Sequence, residues 1–149
     1  MNLPQSLKDR NARLLPGVET LLEHLASLEN VELGLLTGNL KEAAQIKLQN
    51  VGIDHYFSFG GYGDSHADRN DVAVAAVENA RDTIASFSSD HVWVIGDTAN
   101  DIRCARHVGA KVLAVETGGV SAESLRAADP DLQMRDLAAP QDWISKLTP

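Results

Sequence analysis

Two aspartates four positions apart follow an apolar stretch in the segment VIGDTANDI, residues 94 to 102. If Asp97 ends a strand and Asp101 lies in the first turn of the next helix, both carboxylates face one crevice and offer the oxygen ligands that Mg²⁺ prefers. The alternative is that they serve only as a helix cap and a first-turn acid. Gly96 allows a sharp turn before Asp97, which favours a site there. For Asp101 the two interpretations are equally supported.

The segment LLTGN, residues 35 to 39, offers hydrogen-bond donors to an anion. Thr37 has a hydroxyl, and Gly38 and Asn39 place backbone N–H groups at the start of a predicted helix, where phosphate binds readily. The alternative is an ordinary connection in which Asn39 is the helix N-cap. From these three residues alone, the ordinary connection is the preferred interpretation.

A third polar segment, DSHADRND at residues 64 to 71, contains a cation in an unexpected position. The spacing of Asp68 and Asp71 is that of a capping box, which explains both acids. Arg69 opposes the helix macrodipole, so we expect it either to point at a phosphate or at the acidic cluster, or to be solvated on the helix flank. His66 is predicted to be an exposed loop residue and Cys104 a packing residue.

The elements that must position these residues alternate between strand and helix along the chain. Short apolar segments predict buried strands, and the amphipathic segments between them predict helices. This order is typical of a doubly wound, Rossmann-like parallel α/β sheet with helices on both faces, in which ligands bind beyond the carboxyl ends of the strands. The predicted strands are VELGLL, YFSFG, HVWVIG and KVLAVE, and the predicted helices are PGVETLLEHLASLEN, NLKEAAQIKLQNVG, NDVAVAAVENARDTIASF and ANDIRCARHVG.

Length and composition restrict the function classes. The 149 residues suit one domain, with a leader over residues 1–15 and a core over 16–149. A net charge of −8 argues against a nucleic-acid surface. No apolar run approaches the about 18 residues of a membrane span, so no membrane partner is expected. The single cysteine excludes an internal disulfide and favours a reducing cytoplasm.

Taken in order, these segments resemble the motifs of the haloacid dehalogenase superfamily of phosphohydrolases, in particular its phosphoglycolate-phosphatase-like members. LLTGN resembles the second motif, which implies that Thr37, with Gly38 and Asn39, binds the phosphoryl group. Arg69 lies where the third motif has its basic residue, usually Lys, and would contact the same phosphate. GDTANDI resembles the fourth motif, which implies that Asp97 and Asp101 position Mg²⁺.

The sequence lacks the first motif of the family. In the family, a strand near the N-terminus ends in DxDGT, whose first aspartate is the nucleophile, and a helical cap follows it. No such signature occurs in this sequence. Residues 1–15 resemble the end of a cap, and the sheet is expected to lack its usual first central strand. The two strands beside that position would then pair directly, or another chain would supply the strand, for example in a homodimer with strand exchange.

These observations support two main functions. The first is Mg²⁺-dependent hydrolysis of a small phosphorylated metabolite by the complete protein, with this chain alone inactive. The second is a catalytically silent domain that binds Mg²⁺ or phosphate or mediates an interaction. An unrelated flavodoxin-like or receiver-like domain is a third alternative, and it ranks last because the strand VELGLL does not end in an acid.

Overall fold

The computed structural model of the chain describes residues 14–64 and 67–147. Strands and helices alternate, as predicted from the sequence. The predicted leader, residues 1–15, falls almost entirely outside the described part and stays a prediction, as does the exposed position of His66. The elements are α1 (Val18–Ala26), β1 (Gly34–Leu36), α2 (Lys41–Asn50), β2 (Phe59–Gly61), α3 (Arg69–Thr83), β3 (Trp93–Gly96), α4 (Ala99–His107), β4 (Lys111–Val115), α5 (Ala122–Ala127) and β5 (Leu132–Met134).

The strands form two parallel sheets. In the first, β1 pairs with β2, and in the second the order is β3-β4-β5. The α/β class with parallel strands is therefore confirmed. Strand β5 and helix α5 were not predicted, because Leu132–Met134 lies among polar residues without the apolar run that marked the other strands, and a helix of six residues is too short to show a clear period.

Strands β1 and β3 do not pair with each other. The hypothesis that these two strands close the sheet directly is therefore wrong. Helix α3 packs against β1, β2 and α4, and α4 packs in turn against β3 and β4. The two sheets are thus connected by a helix pair, and among residues 14–64 and 67–147 the outer edges of β1 and β3 have no partner strand.

Strand β4 shows why both faces of the second sheet are covered. Val112 and Ala114 face one side and pack with residues of α4 and α5, whereas Leu113 and Val115 face the other and pack with α1. All four are buried. Successive side chains of a strand point to opposite faces, so a strand that is apolar at every position needs a cover on each side. Trp143 and Ile144 complete the cover on the α1 side.

Three helix starts differ from the predictions. Helix α1 begins at Val18, so Pro16 precedes the first turn. Helix α2 begins at Lys41, so Asn39 is not its N-cap. At α3, the Asp68 side chain accepts from the Asn70 N–H and therefore caps the helix without Asp71. Within the described ranges, no helix is both long and apolar enough to span a membrane.

Candidate active site

The Asp101 carboxylate is a buried structural acceptor. Its side chain is 6% exposed, and Oδ2 accepts from the backbone N–H groups of Asp97 and Thr98 at 3.0 and 3.1 Å and from the Thr98 hydroxyl at 2.9 Å. Thr98 caps α4 and, in return, accepts from the Asp101 N–H, which completes a capping box. The preceding Gly96 is required here, because a Cβ at that position would collide with the Asp101 side chain.

Arg69 links the ends of the two sheets. Its Nη2 atom lies 2.7 Å from Asp101 Oδ1, and Arg69 begins the helix that follows β2, while Asp101 lies in the helix that follows β3. The macrodipole of α3 disfavours a cation at this position, and the ion pair accounts for it. Of the two expectations for this residue, contact with the acidic cluster is the one that the structure shows.

The guanidinium also reaches the Thr37–Asn39 loop. A Cβ at Gly38 would lie 3.5 Å from Arg69 Nη1. The Thr37 hydroxyl oxygen accepts from the Asn39 N–H at 3.1 Å, so that N–H is already engaged. The Gly38 N–H has no partner among the residues described, and the Thr37 hydroxyl hydrogen is free to be donated. The loop and Arg69 are therefore neighbours, as their positions in the sequence predicted.

Asp64 is a site-flanking residue that the sequence reasoning missed. Its Oδ1 atom accepts from the Lys41 N–H at 2.7 Å and so neutralises the N-terminus of α2 from outside the helix. Asn39 is not the cap, because Leu40 occupies the N-cap position of the helix that begins at Lys41. The Asn39 C=O accepts from the Gly63 N–H, and the Asn39 N–H donates to the Thr37 hydroxyl. The only sequence signal for Asp64 was an acid four residues after a predicted strand. That position did not indicate that its partner is the Lys41 N–H.

The Asp97 carboxylate differs from that of Asp101. No hydrogen bond or ion pair connects it to another residue within 14–64 or 67–147. It lies against the loop that follows β4, where a Cβ at Gly118 would collide with the carboxylate. Gly118 was not predicted to belong to the site, although the consecutive glycines in ETGGVS indicated a tight turn.

Comparison with known proteins agrees with this arrangement. The sequence family described as haloacid dehalogenase-like hydrolase matches residues 2–115. The chain belongs to that family. A phosphoglycolate phosphatase of Synechococcus elongatus is 31% identical over 136 residues, which cover 91% of this chain and 60% of the relative. This chain therefore spans less than two thirds of the length of that phosphoglycolate phosphatase.

Solved structures show the same fold. A haloacid dehalogenase-like hydrolase from Streptococcus pneumoniae is 26% identical with a TM-score of 0.75, covering 91% of this chain and 60% of that one. The structure described as a predicted phosphoglycolate phosphatase from Haemophilus somnus is 24% identical with a TM-score of 0.78, covering 97% of this chain and 61% of that one. Both structures contain a substantial length of chain with no counterpart here.

Resemblance to this family implies Mg²⁺, and the residues fit the ion only in part. Mg²⁺ keeps several waters and binds one or two carboxylates together with substrate phosphate. The Asp97 carboxylate is free to bind, whereas both Asp101 oxygens already accept hydrogen bonds. In the described part of the chain, no group of three or more His, Cys, Asp or Glu side chains could hold a metal ion. The donor set therefore suits a weakly bound, largely hydrated ion at Asp97.

Cys104 lies beneath the ion pair and is fully buried. Its thiol donates to the Asp101 C=O at 3.2 Å. Burial raises the pKa of this thiol, and the negative charge of Asp101 raises it further. Because a buried thiol with a raised pKa is a poor nucleophile, Cys104 acts as a packing residue, as predicted.

Proposed function

We propose that this chain is the core of a magnesium-dependent phosphatase that, in the complete protein, hydrolyses a small phosphorylated metabolite. The observation that carries the proposal is the set of contacts at the carboxyl ends of the strands: Arg69 lies beside Gly38 of the Thr37–Asn39 loop and pairs with Asp101. Asp101 in turn accepts from the N–H of Asp97, whose carboxylate is free among the described residues. A donor loop, a cation and a hard-metal ligand are the parts that phosphoryl transfer requires. The similarity to a phosphoglycolate phosphatase favours a substrate of that type.

Each group has a role in this proposal. The Gly38 N–H, the Thr37 hydroxyl and Arg69 Nη1 would donate to the phosphoryl oxygens and orient them. Asn39 would contribute through its exposed side chain, because its N–H is engaged. These donors are fixed before the substrate arrives, which is the property that makes electrostatic stabilisation effective.

Asp97 would hold Mg²⁺, and a bound Mg²⁺ supplies neutralisation of the charge on the transferring group. Asp101 was predicted to share that role. In this geometry it acts indirectly, by positioning neighbouring residues. Its carboxylate fixes the Asp97 backbone through the Asp97 N–H and fixes Arg69 through the ion pair. We therefore assign catalytic roles to Thr37, Arg69 and Asp97, and we treat Asp101 as the residue that positions them.

The chain alone should hydrolyse phosphomonoesters very poorly. The family's nucleophile is the first aspartate of DxDGT, and this signature does not occur in the sequence. Without a group that attacks phosphorus, positioning and charge neutralisation have no bond-forming step to accelerate. A catalytically silent domain that binds Mg²⁺ or phosphate is therefore the second candidate, and the missing signature is the observation that favours it.

Binding measurements on the chain itself test the proposed site. We expect weak Mg²⁺ binding, measured by calorimetry. Asp97→Asn should abolish this binding, and the control Asp90→Asn, at an exposed acid, should leave it unchanged. Inorganic phosphate binding should fall in Thr37→Ala. Unchanged Mg²⁺ and phosphate binding in these variants would reject the site, whatever the activity.

An activity assay then separates the two candidates. The longest product of the natural coding frame is expressed and assayed with phosphoglycolate and with p-nitrophenyl phosphate, with and without Mg²⁺. Mg²⁺-dependent turnover that is lost in Asp97→Asn supports the phosphatase. A natural product without a DxDGT strand and without turnover supports the silent domain. Turnover by the 149-residue chain at ordinary enzyme rates would contradict the inactivity expected here.

A further inference from the structure

The loop that follows β4 forms one side of the Asp97 site. It comprises Thr117–Ser121 and leads directly into α5. A Cβ at Gly118 would collide with Asp97 Oδ2, so the glycine backbone and the carboxylate are in contact. The absence of a Cβ is what allows this close approach. The position of the Thr117–Ser121 loop therefore limits where the Asp97 carboxylate can lie.

Little within this loop fixes its conformation. Thr117, Gly118 and Gly119 are exposed, and Gly119 has a φ of +83°. Consecutive glycines leave the backbone more conformational freedom than other residues do. Val120 packs against the buried cluster that contains residues of α4 and α5, and this contact holds the later part of the loop. The place of Gly118 therefore depends on how the residues on either side of the loop are held.

Gln133 joins the residues on either side of the loop. This side chain belongs to β5, and its Nε2 atom donates to Glu116 Oε1 and to the Ala122 C=O, each at 2.9 Å. Glu116 directly precedes the loop and Ala122 directly follows it. Both hydrogens of the amide are used, and the reversed amide would set Oε1 against two acceptors, so the partners fix its orientation. The start of α5 is thereby tied to the end of β4.

Packing alone does not explain a glutamine at this position. Its Oε1 atom is buried and has no hydrogen-bond partner among residues 14–64 and 67–147. A buried acceptor without a partner costs free energy. The neighbours in β5, Leu132 and Met134, are apolar, and an apolar side chain at position 133 would avoid that cost. What the amide contributes is therefore its pair of donated hydrogen bonds.

We propose that Gln133 is a positioning residue for the Asp97 carboxylate. By tying the start of α5 to the end of β4, it restricts the Thr117–Ser121 loop and keeps Gly118 against Asp97 Oδ2. Groups that support a metal ligand from outside the coordination shell typically change metal affinity about 10–100-fold. Because Gln133 acts through a loop, its effect should lie at or below the lower limit of that range. The inference rests on the proposed function, in which Asp97 holds Mg²⁺.

The first test uses nuclear magnetic resonance without metal. In the unaltered chain, the Gln133 side-chain NH₂ group should exchange with solvent at least about tenfold more slowly than that of Gln49, which is exposed in α2. The Gly118 amide should have an order parameter near about 0.85, the value of a rigid backbone. Gln133→Met removes both donated bonds at nearly the same side-chain length. In this variant we expect the Gly118 order parameter to fall towards about 0.6 and the ¹³Cγ resonance of Asp97 to shift.

Calorimetry connects the loop to metal binding. Gln133→Met should weaken Mg²⁺ binding by about threefold to tenfold, whereas the matched variant Gln49→Met, at an exposed position of α2, should leave it unchanged. Two substitutions at Glu116 separate hydrogen bonding from charge. Both Glu116→Gln and Glu116→Met remove the negative charge, and only the first keeps an oxygen that can accept from Gln133. Glu116→Gln should therefore bind Mg²⁺ more tightly than Glu116→Met.

Three results would overturn the proposal. Exchange of the Gln133 NH₂ group as fast as that of Gln49 would show that its two bonds are not held. An unchanged Gly118 order parameter and Asp97 ¹³Cγ resonance in Gln133→Met would show that the loop does not need those bonds. Unchanged Mg²⁺ affinity in Gln133→Met, beside its loss in Asp97→Asn, would leave Gln133 with a structural role alone.

Failure of the proposed function gives a different result. If the unaltered chain binds no Mg²⁺, the metal role of Asp97 is rejected, and the ¹³Cγ resonance alone decides the positioning: a shift in Gln133→Met supports it, and no shift overturns it. If Gln133→Met does not fold, the two Glu116 variants carry the same comparison. Equal Mg²⁺ affinity and equal Gly118 order parameters in those two variants count against the proposal.

Discussion

Replacing Asp101 by asparagine should destabilise the fold, although the residue belongs to a candidate active site. The substitution keeps an oxygen for the N–H groups of Asp97 and Thr98 and removes the charge that faces Arg69. A hydrogen bond between charged groups contributes about 1.5–3 kcal/mol. The Arg69 side chain is 37% exposed, so water screens the pair and the lower limit applies. We expect a loss of about 1.5 kcal/mol in the free energy of unfolding.

Asp101→Ala should cost more, because it also removes the acceptor of the capping box. Thr98 still caps α4, but the partly buried N–H groups of Asp97 and Thr98 lose their acceptor, which adds about 1 kcal/mol or more. We therefore expect a loss of about 3 kcal/mol in total. Urea-induced unfolding at pH 7, followed by circular dichroism, measures both variants if the transition is two-state.

The neighbouring acid provides the matched control. Asp97→Asn alters a carboxylate with no hydrogen bond to the described residues and should change stability by less than about 0.5 kcal/mol. A double-mutant cycle that combines Asp101→Asn with Arg69→Ala should give a coupling energy of about 1 kcal/mol or more. Two results would refute the assignment of Asp101 as the residue that positions Arg69. One is a loss of unfolding free energy in Asp101→Asn that is no larger than in Asp97→Asn. The other is a coupling energy near zero.

Three further predictions concern single residues. Burial raises the pKa of Asp131, but the hydrogen bonds from the Val112 N–H and Arg106 outweigh it and lower the pKa below 3.8. The stabilisation is therefore complete above the unfolded value of 3.8 and is lost as pH falls through the lower, folded pKa. Because the side chain is 33% exposed and partly screened by water, Asp131→Asn should cost only about 1 kcal/mol at pH 7 in urea unfolding, and this cost should shrink as the pH falls below 3.8. Native Cys104 should react with a thiol reagent only as fast as the chain unfolds, and rapid labelling would contradict its burial. Gly118→Ala should displace the Asp97 carboxylate and weaken Mg²⁺ binding in calorimetry, whereas Gly119→Ala, which meets no neighbour but has φ +83°, should reduce stability alone.

The sequence by itself determined the class of fold and the place of the site. Short apolar segments and amphipathic segments alternate, and this local periodicity is sufficient to predict parallel strands joined by helices. It also placed Asp97 directly after a strand and Arg69 at the start of a helix, which the structure shows. Helix α5 escaped prediction because six residues contain too little of a helical period, and β5 because it stands in the polar segment DPDLQMRD.

The tertiary structure decided which groups meet. Arg69 pairs with Asp101 across 32 positions, and Asp64 accepts from the Lys41 N–H across 23, so neither contact follows from local spacing. Packing of α3 on α4 brings the first pair together, whereas the Asp97 carboxylate has no partner among the described residues. The separation of β1 and β3 into two sheets is likewise a property of the folded chain, because strand pairing depends on which edges come within hydrogen-bonding distance, and no residue type encodes that by itself.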